Sequence, residues 1–390
     1  MSCVHYILCI NSGSSSLKFA LYRMAYDDET LLARGAVERI GLDGGRMWIR
    51  TGKKGAAVEV SRDVQDHHTA VWEAFQLLEG LHLAKPSAIG HRIVHGGPAH
   101  FQPVRVDPAL LAEFKSFITF APLHLPAQIK CIEAVTGHFP ELPQIACFDT
   151  AFHRRMPELA QRFPLPQKYW EDGIRRYGFH GLSYEYVLEA LEKPRLKRII
   201  IAHLGNGASM AAICDGCPVD TTMGFTPTGG FLMGTRTGDL DPGILIYLMS
   251  EKSYTAQQIE HLVNDQAGLL GLSGTSPDMQ TLLARRGDDP FASLAIDMFC
   301  HQVRKSIGAL AATLGGLDLL VFTGGIGEKA APVRLEVCQG LAYLGIRVDE
   351  NRNAAHTDPI SSSESTCMVR IIPTNEDLVI ARHAFRLLAV

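Results

Sequence analysis

The sequence has no excess of charge of either sign. Its 390 residues carry 37 lysines and arginines against 41 aspartates and glutamates, a formal net charge of −4. A nucleic-acid surface needs a basic excess on one face, so nucleic acid is not expected as a partner. Basic and acidic tails are absent as well. Long hydrophobic runs are also missing. The nearest, 307–322, is broken by Gly308, Gly315, Gly316 and Asp318, so no membrane partner is expected. Residues 1–10 lack a basic lead and pass straight into a strand-like pattern, which does not read as a signal peptide. The nine cysteines are scattered and odd in number, as expected for reduced thiols and a cytoplasmic location. Cys214 and Cys217 form a C-x-x-C, but Asp215-Gly216 between them favours a hairpin turn, and no second C-x-x-C completes a zinc site. Three nucleotide motifs are missing too: a G-x-x-x-x-G-K-[ST] loop, a G-x-G-x-x-G after the first strand, and an H-R-D kinase set.

What is present is one device built twice. Residues 7–18 and 199–209 are each an apolar run that enters a Gly/Ser/Asn turn and resumes as a strand. Glycine lets backbone N–H groups approach an anion, and Ser and Asn add short donors. A single such turn is usually only a turn. Two of them, with Lys18 just beyond the first, favour two halves clamping a phosphate chain. A third, Gly-rich turn follows the apolar run 319–323 and opens a helix, which also suits a phosphate.

Hydrophobic content of 46% supports sizeable cores, and the length favours two domains. Strands are predicted at 17–22, 35–40, 47–51, 56–60, 88–95 and 144–148 in the first half. In the second they are predicted at 198–202, 209–214, 218–223, 319–323 and 369–372. Helical spacing marks 68–79, 108–117, 125–136, 241–249 and 291–314. No low-complexity linker separates the halves. The expected boundary lies just past Asp149, giving domains 1–149 and 150–375, with a helix over 376–390 packing back on the first.

Several polar residues sit on turns or strand ends. Arg92 and Arg236 stand between small residues, which suits anion capture, although a surface salt bridge is the usual role for an arginine. His180 is either functional or a satisfied core histidine. Asp149 and Glu376 each follow an apolar strand at its carboxyl end, where ligands of α/β sheets gather, and could hold Mg2+. For Glu376 a helix N-cap is the competing role. His95, His124 and His153 read as structural.

Ten short strings then run in order along the chain. They are NSGSSSLK at 11–18, HRIVHGG at 91–97, APLH at 121–124, FDTAFH at 148–153, YGFHG at 177–181, HLGNG at 203–207, MGFTP at 223–227, MGTR at 233–236, GIGE at 325–328 and TNE at 374–376. Together they resemble the acetate kinase family across essentially the whole chain. The resemblance implies an α/β chain with the duplicated actin-like ATPase (ribonuclease H-like) fold, two domains around an interdomain nucleotide cleft, and a homodimer. It implies Asn11 and Glu376 as ligands of Mg2+, or of Mn2+ in its place, and Lys18 as a nucleotide-phosphate contact. Arg92 is then the acyl-substrate contact, with Asp149, His180 and Arg236 as catalytic residues. The nucleotide segments are His203, Leu204, Gly205, Asn206 and Gly207; Asp278, Met279 and Gln280; and Gly325, Ile326, Gly327, Glu328 and Lys329.

The implied reaction is reversible, Mg2+-dependent phosphoryl transfer from ATP to acetate, giving acetyl phosphate and ADP. Acetate is already ionised at neutral pH, so Asp149 is expected to orient groups rather than remove a proton, and direct in-line transfer is favoured over a phospho-enzyme. Val94, two residues past Arg92 on the predicted strand, shares its face and is expected to wall the acyl pocket. Departures from the family pattern are Leu125 for Asn, Gly229 for Glu, Gln280 for Arg and Lys329 for Asn; the last two bear on nucleoside preference. The nearest rival is a propionate or butyrate kinase. A rival of another class is a nucleotide-driven chaperone-like switch, which has no use for Arg92, His180 and Arg236.

Overall fold

A computed structural model describes the protein over residues 4–52, 55–191 and 196–389. The chain divides into two compact units. One comprises the chain up to Phe152 together with the segment from Asn375 onward; the other is His153–Thr374.

The first unit holds eight strands: β1 (His5–Ser12), β2 (Ser16–Ala25), β3 (Asp28–Glu38), β4 (Arg46–Thr51), β5 (Ala57–Ser61), β6 (Ala88–Ile93), β7 (Val104–Arg105) and β8 (Gln144–Phe148). They form one sheet in the order β5-β4-β3-β2-β1-β6-β8-β7. β1 pairs antiparallel with β2 and parallel with β6, and β6 pairs parallel with β8. The second unit holds β9 (Arg198–Leu204), β10 (Ala208–Cys214), β11 (Cys217–Thr221), β12 (Leu319–Thr323) and β13 (Met368–Ile371), ordered β11-β10-β9-β12-β13. Here β9 pairs antiparallel with β10 and parallel with β12, which is parallel to β13. Both sheets therefore share one wiring, an antiparallel meander whose first strand is continued by two parallel strands. This is the duplicated α/β fold expected from the sequence.

Alternation along β1 explains the layering of the first unit. Leu8 and Ile10 join a core with Phe19, Leu21, Val71, Leu78, Cys131 and Val135, drawn partly from helices His67–Gly80 and Leu125–His138. Cys9, between them, faces the other way. Its thiol donates to the Asp377 carbonyl of helix Glu376–Leu388. That helix buries Val379, Ile380 and Phe385. Three such side chains contribute on the order of 5–9 kcal/mol, as an upper bound. In the second unit β12 is buried along its whole length, and Pro290–Leu314 packs on the sheet. A strand covered on both faces reads as an unbroken apolar run.

Two differences from the predicted elements have physical causes, and one predicted turn is found as expected. β3 begins at Asp28, well before the predicted start, because its outer half is largely solvent-facing and carries little apolar pattern. β6 stops at Ile93 instead of reaching His95. Cys214 and Cys217 pair directly across the β10–β11 hairpin, whose Asp215 and Gly216 have φ of 49° and 77°. That is the turn geometry the Asp-Gly pair favours.

Candidate active site

In the first unit, four groups meet at the carboxyl ends of the parallel strands. Asn11 is the penultimate residue of β1, Arg92 of β6, and Asp149 directly follows β8. The Cys9 parity puts Asn11 on the face covered by helix Glu376–Leu388, whose first residue is Glu376. Arg92 is the hub. Its Nε donates to Asp149 Oδ1 and Oδ2 at 3.1 and 3.0 Å, and its Nη2 to Oδ2 at 2.7 Å. Its Nη1 lies 3.3 Å from Glu376 Oε2 and 3.5 Å from Asn11 Oδ1. Asp149 is fully buried, whereas the side chains of Arg92 and Glu376 keep 19% and 14% exposure, so Asp149 holds the Nε and Nη2 side of the guanidinium from within while Nη1 meets the less buried Glu376. Burial opposes the Arg92 charge, but Asp149 and Glu376 outweigh it and hold the guanidinium above its ordinary pKa. Lys18 is exposed on β2 directly opposite Asn11, so both project from one face.

The helix cap beside this cluster is Asn375, whose Oδ1 accepts from Leu378 N–H, so Glu376 is not the N-cap. Its carboxylate meets Arg92 instead. Sequence reasoning passed over Asp377. Burial, then the neighbouring Glu376 charge, pushes its carboxyl up to about 6, against the pull of Arg92, Lys18 and Arg34. An acidic pair at a helix start reads as ordinary dipole complementation, so no local signal marks it. Val94 lies past the end of β6, so the strand alternation that placed it beside Arg92 does not extend to it. It is buried, and its N–H donates to the buried Gln128.

In the second unit, Arg236 and His180 converge on one point. A Cβ added to Gly207 would lie 3.3 Å from Arg236 Nη1 and 3.5 Å from His180 Nε2. Arg236 lies in irregular backbone just past the bend at Gly234 and Thr235, and its Nη1 donates to the Pro227 carbonyl at 3.2 Å. His180 caps helix Gly181–Ala190 with φ of 57°. Its ring stacks on His203 at 4.2 Å, and its Nδ1 is 2.8 Å from Ser209 Oγ.

Two of the three segments predicted to bind nucleotide, 203–207 and 325–329, adjoin at the ends of neighbouring parallel strands, since His203 pairs with Thr323. Leu204 is buried and packs by its backbone against Gly324, whose φ of 76° and close approach leave no room for a side chain. Gly205, Asn206 and Gly207 form the turn, and Asn206 C=O accepts from Gly234 N–H. Gly325 faces open space, while Glu328 Oε1 accepts from the N–H groups of Gly324 and Thr374. Beneath them the fully buried Arg334 donates to the carbonyls of Gly327 and Glu328. Asp278 caps helix Met279–Arg285 and accepts from Thr281, Met279 is buried, and Gln280 and Lys329 are exposed. Ile326 is half-buried and Gly327 buried in helix Gly324–Lys329.

The fit to a divalent metal rests on the donor chemistry. Asn11 and Glu376 offer hard oxygens, as Mg2+ or Mn2+ prefers. Mg2+ takes one or two carboxylates and completes its shell with phosphate and water, so this sparse set fits it.

A family model described as the acetokinase family matches residues 6–382. An acetate kinase of Rhodopseudomonas palustris is 46% identical over 98% of this chain and 98% of its own length. Among solved structures, an acetate kinase of Porphyromonas gingivalis is similar at a TM-score of 0.87 and 38% identity, covering 98% of this chain and all of that one. A propionate kinase of Francisella tularensis is similar at a TM-score of 0.90 and 37% identity, covering 97% and 98%.

Proposed function

This chain belongs to the acetokinase family, and from that premise we propose that it transfers the γ-phosphoryl group of ATP to acetate, reversibly, with Mg2+. The observation that carries the reading is the convergence of Arg236 and His180 over Gly207. Phosphoryl transfer spreads charge over the equatorial oxygens, and preorganised cationic and N–H donors lower its barrier. Arg236 and His180 supply those donors. The Gly205 to Gly207 and Gly325 to Gly327 segments take the phosphate chain of the nucleotide.

In the first unit the Nη1 edge of Arg92 takes the acyl carboxylate. Asp149 spends its carboxylate on the Nε and Nη2 of Arg92, which fixes the guanidinium plane. It acts by orienting Arg92. Acetate, ionised at neutral pH, needs no base. Asn11 and Glu376 hold the metal and Lys18 contacts a nucleotide phosphate. When bound, the metal neutralises charge on the phosphate oxygens.

Acetate is the proposed acceptor and propionate the second choice. A hydroxamate assay over two-, three- and four-carbon acids, run with ADP release, tests this. Acetate should exceed propionate, and propionate should exceed butyrate, by roughly 10–200-fold per methylene. ADP release independent of any acid would sink the reading.

We also propose a homodimer in the cytoplasm. Helix Pro242–Glu251 buries none of its residues, although Ile244, Ile246, Tyr247 and Met249 are large and apolar, with Ile246 65% exposed. Phe291, Leu294 and Met298, on helix Pro290–Leu314 of the same unit, are exposed too. Exposed apolar faces of this kind mark association surfaces. Sedimentation of the wild type and of Ile246→Asp tests the assignment.

A further inference from the structure

Two buried hydroxyls stand behind His180. Its Nδ1 is 2.8 Å from Oγ of Ser209, and that oxygen is 2.5 Å from Oη of Tyr184. Ser209 and Tyr184 are both fully buried. The fold dictates this placement from two directions. Ser209 is paired with His203 across β9 and β10, so the two side chains share a face, and His203 carries the stacked ring of His180. Tyr184 lies one helical turn beyond His180, its N–H bonded to the His180 carbonyl, so its side chain stands over the same turn. Ser183, also fully buried, places its Oγ 2.8 Å from His203 Nδ1, so the stacked partner is held by a hydroxyl too. His180 itself holds φ of 57°, a left-handed conformation that a side-chain-bearing residue keeps only where its surroundings impose it.

We infer that Ser209 and Tyr184 are positioning residues that fix the tautomer and direction of the His180 ring, presenting its Nε2–H to the transferring phosphoryl group. The inference rests on the role proposed above for His180. The phenol is the more acidic hydroxyl, so Tyr184 donates to Ser209, and Ser209 donates to Nδ1. An imidazole that accepts at Nδ1 carries its proton on Nε2. That atom faces the space over Gly207 shared with Arg236 Nη1. If the ring takes a second proton, the Ser209 hydroxyl hydrogen turns about its C–O bond, so Oγ accepts from Nδ1–H with one lone pair and from Tyr184 with the other, and Nε2 remains a donor.

The test is a set of variants, Ser209→Ala and Tyr184→Phe, each made in the wild type and with His180→Ala. The full-length enzyme is assayed for acetate-dependent ADP formation, with thermal unfolding as the fold check. Ser209→Ala should lower kcat roughly tenfold, the effect of losing one positioned hydrogen bond, with the KM for ATP within about twofold. Tyr184→Phe should lower kcat less, by a few-fold. With His180→Ala, neither variant should lower kcat further, because the hydroxyls act only through that ring. The relay is overturned if Ser209→Ala costs the same factor with and without His180, or if it leaves kcat unchanged while His180→Ala lowers it. If His180→Ala alone leaves kcat intact, the proposed role of His180 fails first and the relay with it. Should Ser209→Ala not fold, Tyr184→Phe, which keeps the packed ring, carries the same comparison.

Discussion

Substituting Gly207 with alanine probes the proposed phosphoryl site at its centre. The added Cβ would lie 3.3 Å from Arg236 Nη1 and 3.5 Å from His180 Nε2, and no other atom comes as close. The first distance is somewhat tight and the second is ordinary contact, so the fold absorbs the methyl with a shift of a few tenths of an ångström. Gly207 does not hold a left-handed backbone, so alanine brings no strain there. A compatible Gly→Ala change is neutral or stabilises by about 0.4–1 kcal/mol through the unfolded chain. Stability should therefore be unchanged or slightly raised. Activity should behave oppositely. A phosphoryl oxygen must sit about 2.7–3.1 Å from each donor, and the methyl occupies that volume. Losing one preorganised donor costs on the order of 10²–10³ in kcat, or roughly 3–4 kcal/mol. Gly207→Ala should thus lower kcat at least about 100-fold while its thermal midpoint holds. The measurement is the initial rate of ADP formation at saturating ATP and acetate, paired with a thermal melt of the same sample. Near wild-type turnover in a folded Gly207→Ala protein would refute the idea that phosphate oxygens lie between Arg236 and His180.

Arg236→Ala should lower kcat by about 10²–10³ with little change in the KM for ATP, whereas Arg92→Ala should raise the KM for acetate as well; steady-state kinetics with each substrate varied separates them, and a normal kcat in Arg236→Ala would make that residue structural. Glu376→Ala and Asn11→Ala should move the Mg2+ dependence of the rate to higher concentration. An unchanged Mg2+ titration would remove both from the metal site. Stability should fall on acidification, because burial pushes the His91 and His153 imidazoles down to about 4 while the unfolded chain titrates near 6.5. The unfolded state binds more protons between those values, so stability is full above about pH 6.5 and drains as pH falls toward 4, by a few kcal/mol per histidine at most. Urea unfolding from pH 7.5 to 4.5 checks the slope, and His91→Gln should make it shallower.

Much of the fold was legible locally. β8 and β12 were predicted with their exact bounds because each is a short, unbroken apolar run closed by turn residues. The Asp-Gly hairpin at 215–216 was legible for the same kind of reason, a turn chemistry with its own geometry. β3 was under-read because its solvent-facing half owes its pairing to β2, not to apolar residues of its own. The strand reasoning for Val94 failed because the end of β6 is set by what covers it, here the Gln128 side chain taking the Val94 N–H.

The candidate site divides along the same line. The sequence alone determined which residue types stand at strand ends and turns, because strand period, glycine turns and capping residues act over a few positions. It also carried the ordered strings that the family shares. Only the tertiary structure decided how those residues are used. Arg92 is shared among Asp149, Glu376 and Asn11 because three parallel strands end, and the last helix begins, at one edge of a sheet. Asp377 has a raised pKa because the packing of its helix buries it, with the adjacent Glu376 charge adding to the shift. Tyr184 and Ser209 back His180 because a helix and a hairpin meet there. Desolvation and hydrogen-bond geometry depend on elements far apart in the chain, and local periodicity states which face is buried without stating what will cover it.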